Sequence, residues 1–288
     1  INPPESTLPA PLDIPPREPN QNLFKWLLKS GKLYLGFYKT GIKNIWANYK
    51  NVKPLRARFN STQTPQLPPS RGKDGKTTHQ NLYAKFALTR AEFQFLMRSR
   101  SDVSRVPVFA LLFAVLGEWL PLVVIFVTPI VPYPCRIPKQ IRQTREGLEK
   151  RRHDSFRGIT DGYVPNSKVM RGEGEVKDLK QLNKGQLMHI SRSLGLHFGV
   201  WDRISYGHFP PEMLLRYKVE KWLKYLDQDD ALLKRDGGIE ELKGEELKLA
   251  AEQRGIDILG RKDDELRKNL QLWMKGRSEG KVLSMLLT

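Results

Sequence analysis

Glu118 is the side chain best placed to do chemistry. It is the single charged residue in Val106–Val131, VPVFALLFAVLGEWLPLVVIFVTPIV. Gly117 precedes it, and Pro121, one turn on, has no N–H to offer the Gly117 carbonyl. A carboxylate in apolar surroundings costs about 2.5–3.5 kcal/mol on insertion scales, so it is expected to be protonated, paired or facing a polar path. Glu118 and Pro121 are therefore the candidates for an ion or proton pathway. An open alternative is that Glu118 sits neutral or paired on the inner face of a helical assembly and holds subunits together.

Other catalytic chemistry finds little support. His79, His153, His189, His197 and His208 are dispersed without metal-ligand spacing. Cys135, the one cysteine, excludes an internal disulfide and a cysteine-built zinc site. Gly172-Glu173-Gly174 lacks the preceding strand and further glycine of a nucleotide loop. No enzymatic activity, catalytic residue, metal ligand or cofactor is expected.

Anion binding is the second kind of chemistry on offer. The net charge is +18 with a pI near 9.9, which draws the chain to polyanions such as lipid headgroups or RNA. The candidate RNA-binding side chains are Lys177, Lys180, Lys184, Arg192, Arg216, Lys218, Lys221, Lys224, Arg254, Arg261 and Lys262. Taken singly, each is equally readable as part of a solvated helix face. Their collective charge is what points to RNA.

These residues need elements to position them, and the expected fold is all-α. Residues 1–22 are proline-rich and read as a disordered leader. Residues 23–50 place a lysine stripe opposite Leu27, Tyr34, Tyr38, Ile45 and Tyr49, with Phe24, Trp26, Leu35, Phe37, Ile42 and Trp46 widening that face, which suits a helix lying in a membrane interface or one packed on a protein core. Residues 51–80 read as a linker and 81–105 as a helix with Leu88, Phe95 and Leu96 as contacts and Thr89 capping a turn. Residues 106–131 are long and apolar enough, at about 1.5 Å per residue, to cross a core of about 30 Å as a single transmembrane helix. Pro129, Pro132, Pro134 and Pro138 then delay regular helix until about Lys139. Basic residues before and after the span place the C-terminal part weakly on the cytoplasm-equivalent side.

Residues 136–288 form a helical-bundle domain with a degenerate repeat. Leu182, Leu187, Ile190, Gly195 and Leu196 recur sixty positions later as Leu242, Leu247, Ala250, Gly255 and Ile256. In each copy a helix meets a glycine and then an apolar residue, the pattern of a left-handed C-terminal cap. Second helices follow, with Leu215, Val219 and Trp222 matching Leu266, Leu270 and Trp273. The tryptophans are expected to close each helix pair. Gln228–Arg235 reads as a separate short helix ended by Gly237–Gly238.

Asp229–Lys275 resembles the C-terminal region of the leucine-zipper, EF-hand transmembrane (Letm) family of mitochondrial inner-membrane proteins. The likeness is carried by Asp230 with Leu232–Leu233, Gly237–Gly238, Leu242, Glu246–Leu247, Arg254–Gly255, Leu259–Gly260 and Leu266 to Trp273. Leu88–Thr89–Arg90, Arg105–Val106–Pro107, Glu118 and Pro121 are similar to that family's membrane segment and its approach. Ala231 and Leu232 stand where a calcium loop needs a ligand and a glycine, and no long heptad array is present. The chain therefore resembles a compact, fungal-type member without an EF-hand. The resemblance implies a matrix domain that binds the mitochondrial ribosome and supports membrane-protein biogenesis and ion homeostasis, in contact with inner-membrane lipid. The alternative it implies is potassium–proton or calcium–proton exchange through Glu118, which one span can support only as a homo-oligomer.

Overall fold

The computed structural model describes residues 1–17, 19–20, 22–63, 88–116, 128–157, 178–204 and 210–287. Every regular element among them is helical. The chain divides into two compact units, Ile1–Gln143 and Thr144–Thr288.

The first unit is built on helix α1, Leu23–Gln63, and helix α2, Arg90–Leu116. The buried positions of α1 are Ser30, Phe37, Tyr38, Gly41, Ile45, Asn48 and Val52, a seam at spacings of mostly three and four residues. This seam packs on α2 with the two helices antiparallel. Tyr38 lies near Phe109, with ring centroids 6.5 Å apart, while Arg58 meets Glu92 at 3.1 Å. At Gly41 a built Cβ would stand 2.7 Å from the Cys135 Sγ and 2.8 Å from the Pro134 carbonyl oxygen, so the close approach there requires glycine.

Two expectations change here and one open choice is decided. Helix α1 does not end at residue 50 but runs through Pro54, because Val52 is buried with Leu88, Phe95 and Leu96 and this contact holds the added turns. The leader is not free of structure. It carries a 3-10 turn at Glu5–Thr7, and the Asn48 side chain both accepts from the Ser6 hydroxyl at 2.7 Å and donates to the Ser6 carbonyl at 3.0 Å. Tyr38 and Ile45, on a face that the sequence left to a membrane interface or to a protein core, lie inside the unit's own core.

Thr89 caps α2 as expected, its hydroxyl accepting from the Glu92 N–H at 3.3 Å while the Glu92 carboxylate accepts from the Thr89 N–H at 2.8 Å. Beyond Leu116 the expected single transmembrane helix over 106–131 is corrected. A straight helix would hold Phe109 and Val131 about 33 Å apart. Instead they share one hydrophobic cluster, and the Tyr133 N–H donates to Asp102 at 2.9 Å. Among the described residues no helix is long and apolar enough to cross a membrane. Residues 117–127 lie outside them. The prolines act as expected, with 3-10 turns at Thr128–Ile130 and Tyr133–Cys135 and helix α3, Pro138–Arg157, opening on its proline.

The second unit holds the rest of α3 and then α4, Lys184–Ser193; α5, Trp201–Ile204; α6, Glu212–Arg235; α7, Glu245–Gln253; α8, Asp263–Ser278; and α9, Val282–Leu287. The separate helix expected at 228–235 is the last part of α6, made continuous by Leu226, Leu232 and Leu233 on its buried side. One core joins Leu187 and Ile190 of α4, Leu215 and Val219 of α6, Trp273 of α8 and Leu283, Leu286 and Leu287 of α9.

Candidate functional site

The repeat seen in the spacing is a structural repeat. Each copy begins with a 3-10 turn, Leu179–Gln181 or Ile239–Glu241, followed by a short helix, α4 or α7. Asn183 opens α4 with a capping box, its side chain accepting from the Gln186 N–H at 2.9 Å and the Gln186 side chain accepting from the Asn183 N–H at 3.0 Å. Both helices end alike. Gly195 at φ 65° and Gly255 at φ 80° take the left-handed conformation. The next N–H, of Leu196 or Ile256, then reaches back to Ser191 O at 2.8 Å or Ala251 O at 3.1 Å.

An arginine on the second helix of each copy fastens the opening turn. Arg216 of α6 donates to Leu179 O at 2.5 Å and Leu182 O at 3.0 Å. Fifty-one positions later, Arg267 of α8 donates to Ile239 O at 2.7 Å and Leu242 O at 2.8 Å. The sequence holds this signal, since the same offset relates Leu215 to Leu266 and Trp222 to Trp273. Only the geometry shows that the pair points inward at carbonyls.

The tryptophans do not close their own helix pairs. Trp222 donates to the Gln253 carbonyl at the end of α7, at 3.1 Å, and Trp273 donates to Asp230 at the end of α6, at 3.1 Å. Each repeat thus reaches into the other. Around Asp230 lies an ion network whose centre is fully buried. Arg254, 0% exposed, donates to Asp230 at 2.9 Å, to Asp229 at 2.7 Å and to the Ala250 carbonyl at 2.7 Å. Arg277 adds a further bond to Asp230 at 2.7 Å and pairs with Asp227. Burial works to lower the Arg254 guanidinium, but Asp230 and Asp229 beside it outweigh that and hold it above its ordinary range.

A second polar cluster sits at the end of α4. Ser191 Oγ lies 2.7 Å from His197 Nδ1, and His197 Nε2 lies 2.8 Å from Asp202. Arg151 and Arg192 also donate to Asp202, at 2.7 and 3.1 Å. Burial works to raise the Asp202 carboxyl, but the His197 bond and the two guanidinium groups bring it down to about 2. The trio has the connectivity of a hydrolytic triad. Ser191, however, is 0% exposed, so no substrate reaches its hydroxyl and the cluster fastens the 197–202 segment to α3 and α4. Alongside it, Arg152 donates to the Ser193 carbonyl at 3.2 Å, and His189 is buried against Ser155 and Phe156. Burial pushes the His189 imidazole down to about 4.

The sequence-predicted sites separate accordingly. Lys180, Lys221, Lys224, Arg261 and Lys262 are exposed, and Lys184 and Lys218 are half-buried. Lys221 lies over the Tyr217 ring at 5.9 Å, Lys224 pairs with Glu220 at 2.7 Å, and Arg261 lies 3.6 Å from Glu265. Two expectations are corrected. Arg254 and Arg192 are buried in ion pairs, which leaves their guanidinium groups unavailable to a phosphate from solvent. Arg216 is committed to carbonyls of the first repeat. Lys177, Glu118 and Pro121 lie outside the described residues.

The comparisons fit this architecture. The family model described as "LETM1-like, RBD" matches residues 166–288, which contain both repeats, their crossed tryptophans and the Arg254 network. No curated protein and no solved structure matches the chain. The helical turns, glycine caps and arginine clamps described above are thus the framework of a LETM1-like ribosome-binding domain, formed by residues 166–288.

Proposed function

We propose that this is a mitochondrial protein of the inner membrane whose basic C-terminal domain faces the matrix and binds the mitochondrial ribosome, in support of membrane-protein biogenesis and ion homeostasis. The observation that carries this reading is the family match over residues 166–288. The surface chemistry supports it. Lys180, Lys221 and Lys224 are exposed around the first repeat, and Arg261 and Lys262 lie just before α8 in the second. These exposed cations can meet rRNA phosphates, and each contact formed adds to the salt dependence. Tyr217, 59% exposed beside Lys221, adds an aromatic face for stacking or protein contact.

The test is sedimentation of the full chain with purified mitochondrial ribosomes across a salt series. Binding that weakens steeply with salt is expected, and a Lys180→Glu, Lys221→Glu, Lys224→Glu variant is expected to bind at least about tenfold more weakly. Failure to sediment with ribosomes at low salt would overturn the proposal, as would a triple variant that binds like the parent.

A further inference from the structure

Among the described residues, helix α1 carries an exposed apolar stripe. Phe24 is 69% exposed, Leu28 52%, Leu35 62%, Ile42 45% and Trp46 60%. At 100° per residue these five fall in one narrow strip along the helix. The buried seam of Tyr38, Gly41, Ile45 and Val52 lies on one side of it. On the other side runs a row of exposed lysines, Lys25, Lys32, Lys39, Lys43 and Lys50. It is one flank of the wide apolar face read from the sequence, which includes Phe24, Leu35, Ile42 and Trp46; Tyr38 and Ile45 of that face are taken up by the first unit's own core.

The charge of α1 is one-sided in a second sense. Its 41 residues include seven lysines, two arginines and no Asp or Glu. No lysine of α1 can pair with a carboxylate one turn away on its own helix. At the far end of the strip, Lys50 lies over the Trp46 ring at 5.1 Å and Lys53 over the Tyr49 ring at 5.4 Å.

We propose that this strip of α1 is the surface by which the protein lies on an anionic lipid leaflet, with Phe24, Leu28, Leu35, Ile42 and Trp46 set into the acyl boundary and the adjacent lysines on the headgroups. An exposed apolar strip gains nothing from RNA phosphates, whereas a lipid surface satisfies the strip and the cations together. Lysine stems can lie along the apolar boundary while their ammonium groups reach the phosphates. A second copy of the chain docked strip to strip would bring two lysine rows together and repel. The proposal rests on the membrane-associated reading above, but its surface belongs to the first unit and not to the ribosome-binding domain.

The full chain is labelled with an environment-sensitive fluorophore at Ile42→Cys, and in a second preparation at Asn51→Cys on the opposite, exposed side. Native Cys135 is 0% exposed and stays unlabelled in the folded protein. Vesicles of phosphatidylcholine alone are compared with vesicles that also contain phosphatidylglycerol. The Ile42 probe is expected to shift to the blue and to be quenched by a lipid-phase quencher on the anionic vesicles, and the Asn51 probe to remain solvent-like. Each of Lys25, Lys32, Lys39, Lys43 and Lys50 changed to Gln is expected to weaken this partitioning about fivefold. Trp46→Glu should abolish the Ile42 shift while leaving ribosome sedimentation unchanged, and unaltered circular dichroism will show that it folds.

Equal behaviour of the two probes, or an Ile42 probe that stays in water on anionic vesicles, would overturn the proposal. So would protection of the Ile42 probe by RNA in place of vesicles, or a concentration-dependent shift without lipid, which marks a second copy. Loss of ribosome binding with lipid insertion intact would strike the ribosome-binding proposal alone.

Discussion

Arg254 offers the sharpest test of the second unit, because the surface reading and the buried reading predict opposite results. Arg254→Met keeps much of the side chain's length and removes its charge, leaving Asp229 and Asp230, 0% and 1% exposed, facing each other without their main cation. Breaking a buried pair from one side costs about 3–5 kcal/mol, since the remaining charge stays desolvated. Arg277 and Trp273 still reach Asp230 at 2.7 and 3.1 Å, which places the expected loss toward the lower part of that range. Asp229→Asn in the Arg254→Met background removes one of the two facing buried carboxylates and is expected to recover about 0.5–3 kcal/mol. Arg254→Lys is not a mild change, because one ammonium cannot span two carboxylates and the Ala250 carbonyl as the guanidinium does. Urea unfolding followed by circular dichroism and tryptophan emission reads the effect, with Trp273 a direct reporter of the Asp230 end. Below its unfolding transition the Arg254→Met protein should show the parent's salt dependence of ribosome binding. A stability within about 0.5 kcal/mol of the parent would refute the reasoning, as would a salt slope reduced by about 0.7–0.9, the mark of one lost phosphate contact.

Arg216→Ala and Arg267→Ala should each cost about 1–3 kcal/mol by stranding turn carbonyls, and urea midpoints of the two variants should fall by similar amounts if the clamps are equivalent. Gly255→Ala places a Cβ 3.3 Å from the Leu194 side chain on backbone at φ 80°, and a loss of about 1–2 kcal/mol in thermal unfolding is expected. Gly41→Ala drives a methyl into Cys135 and the Pro134 carbonyl, so it should expose Cys135 to thiol reagents while leaving the ribosome-binding domain's unfolding unchanged. His189 gives the pH dependence. The unfolded chain takes up its proton near 6.5 and the folded one near 4, so stability is complete above about 6.5 and falls through that window by about 3 kcal/mol. His189→Gln should flatten this slope in chemical denaturation at pH 7 and pH 4.5.

Local signals were legible in the sequence wherever a residue answers to its neighbours. The caps at Thr89, Gly195 and Gly255 and the matched second helices follow from turn chemistry and helical spacing alone. Residues that answer to distant partners were not. Arg254 and Arg192 look like any surface cation until Asp229 and Asp230, 25 and 24 positions away, and Asp202, 10 positions away, are brought beside them. Tyr38 and Ile45 sit on an apolar face that lipid and α2 would serve equally well, and only the α2 contact decides which of two apolar strips is left exposed. The return of the chain at Tyr133 was equally hidden, because a long apolar run carries no mark of whether it crosses or turns back.

That return also fixes how tension passes along the polypeptide. The segment from Val131 to Ile137 is gripped twice, by the Asp102 carboxylate on the Tyr133 N–H and by Gly41 closing on Pro134 and Cys135. A pull applied at Pro138 therefore reaches α1 and α2 at these two grips.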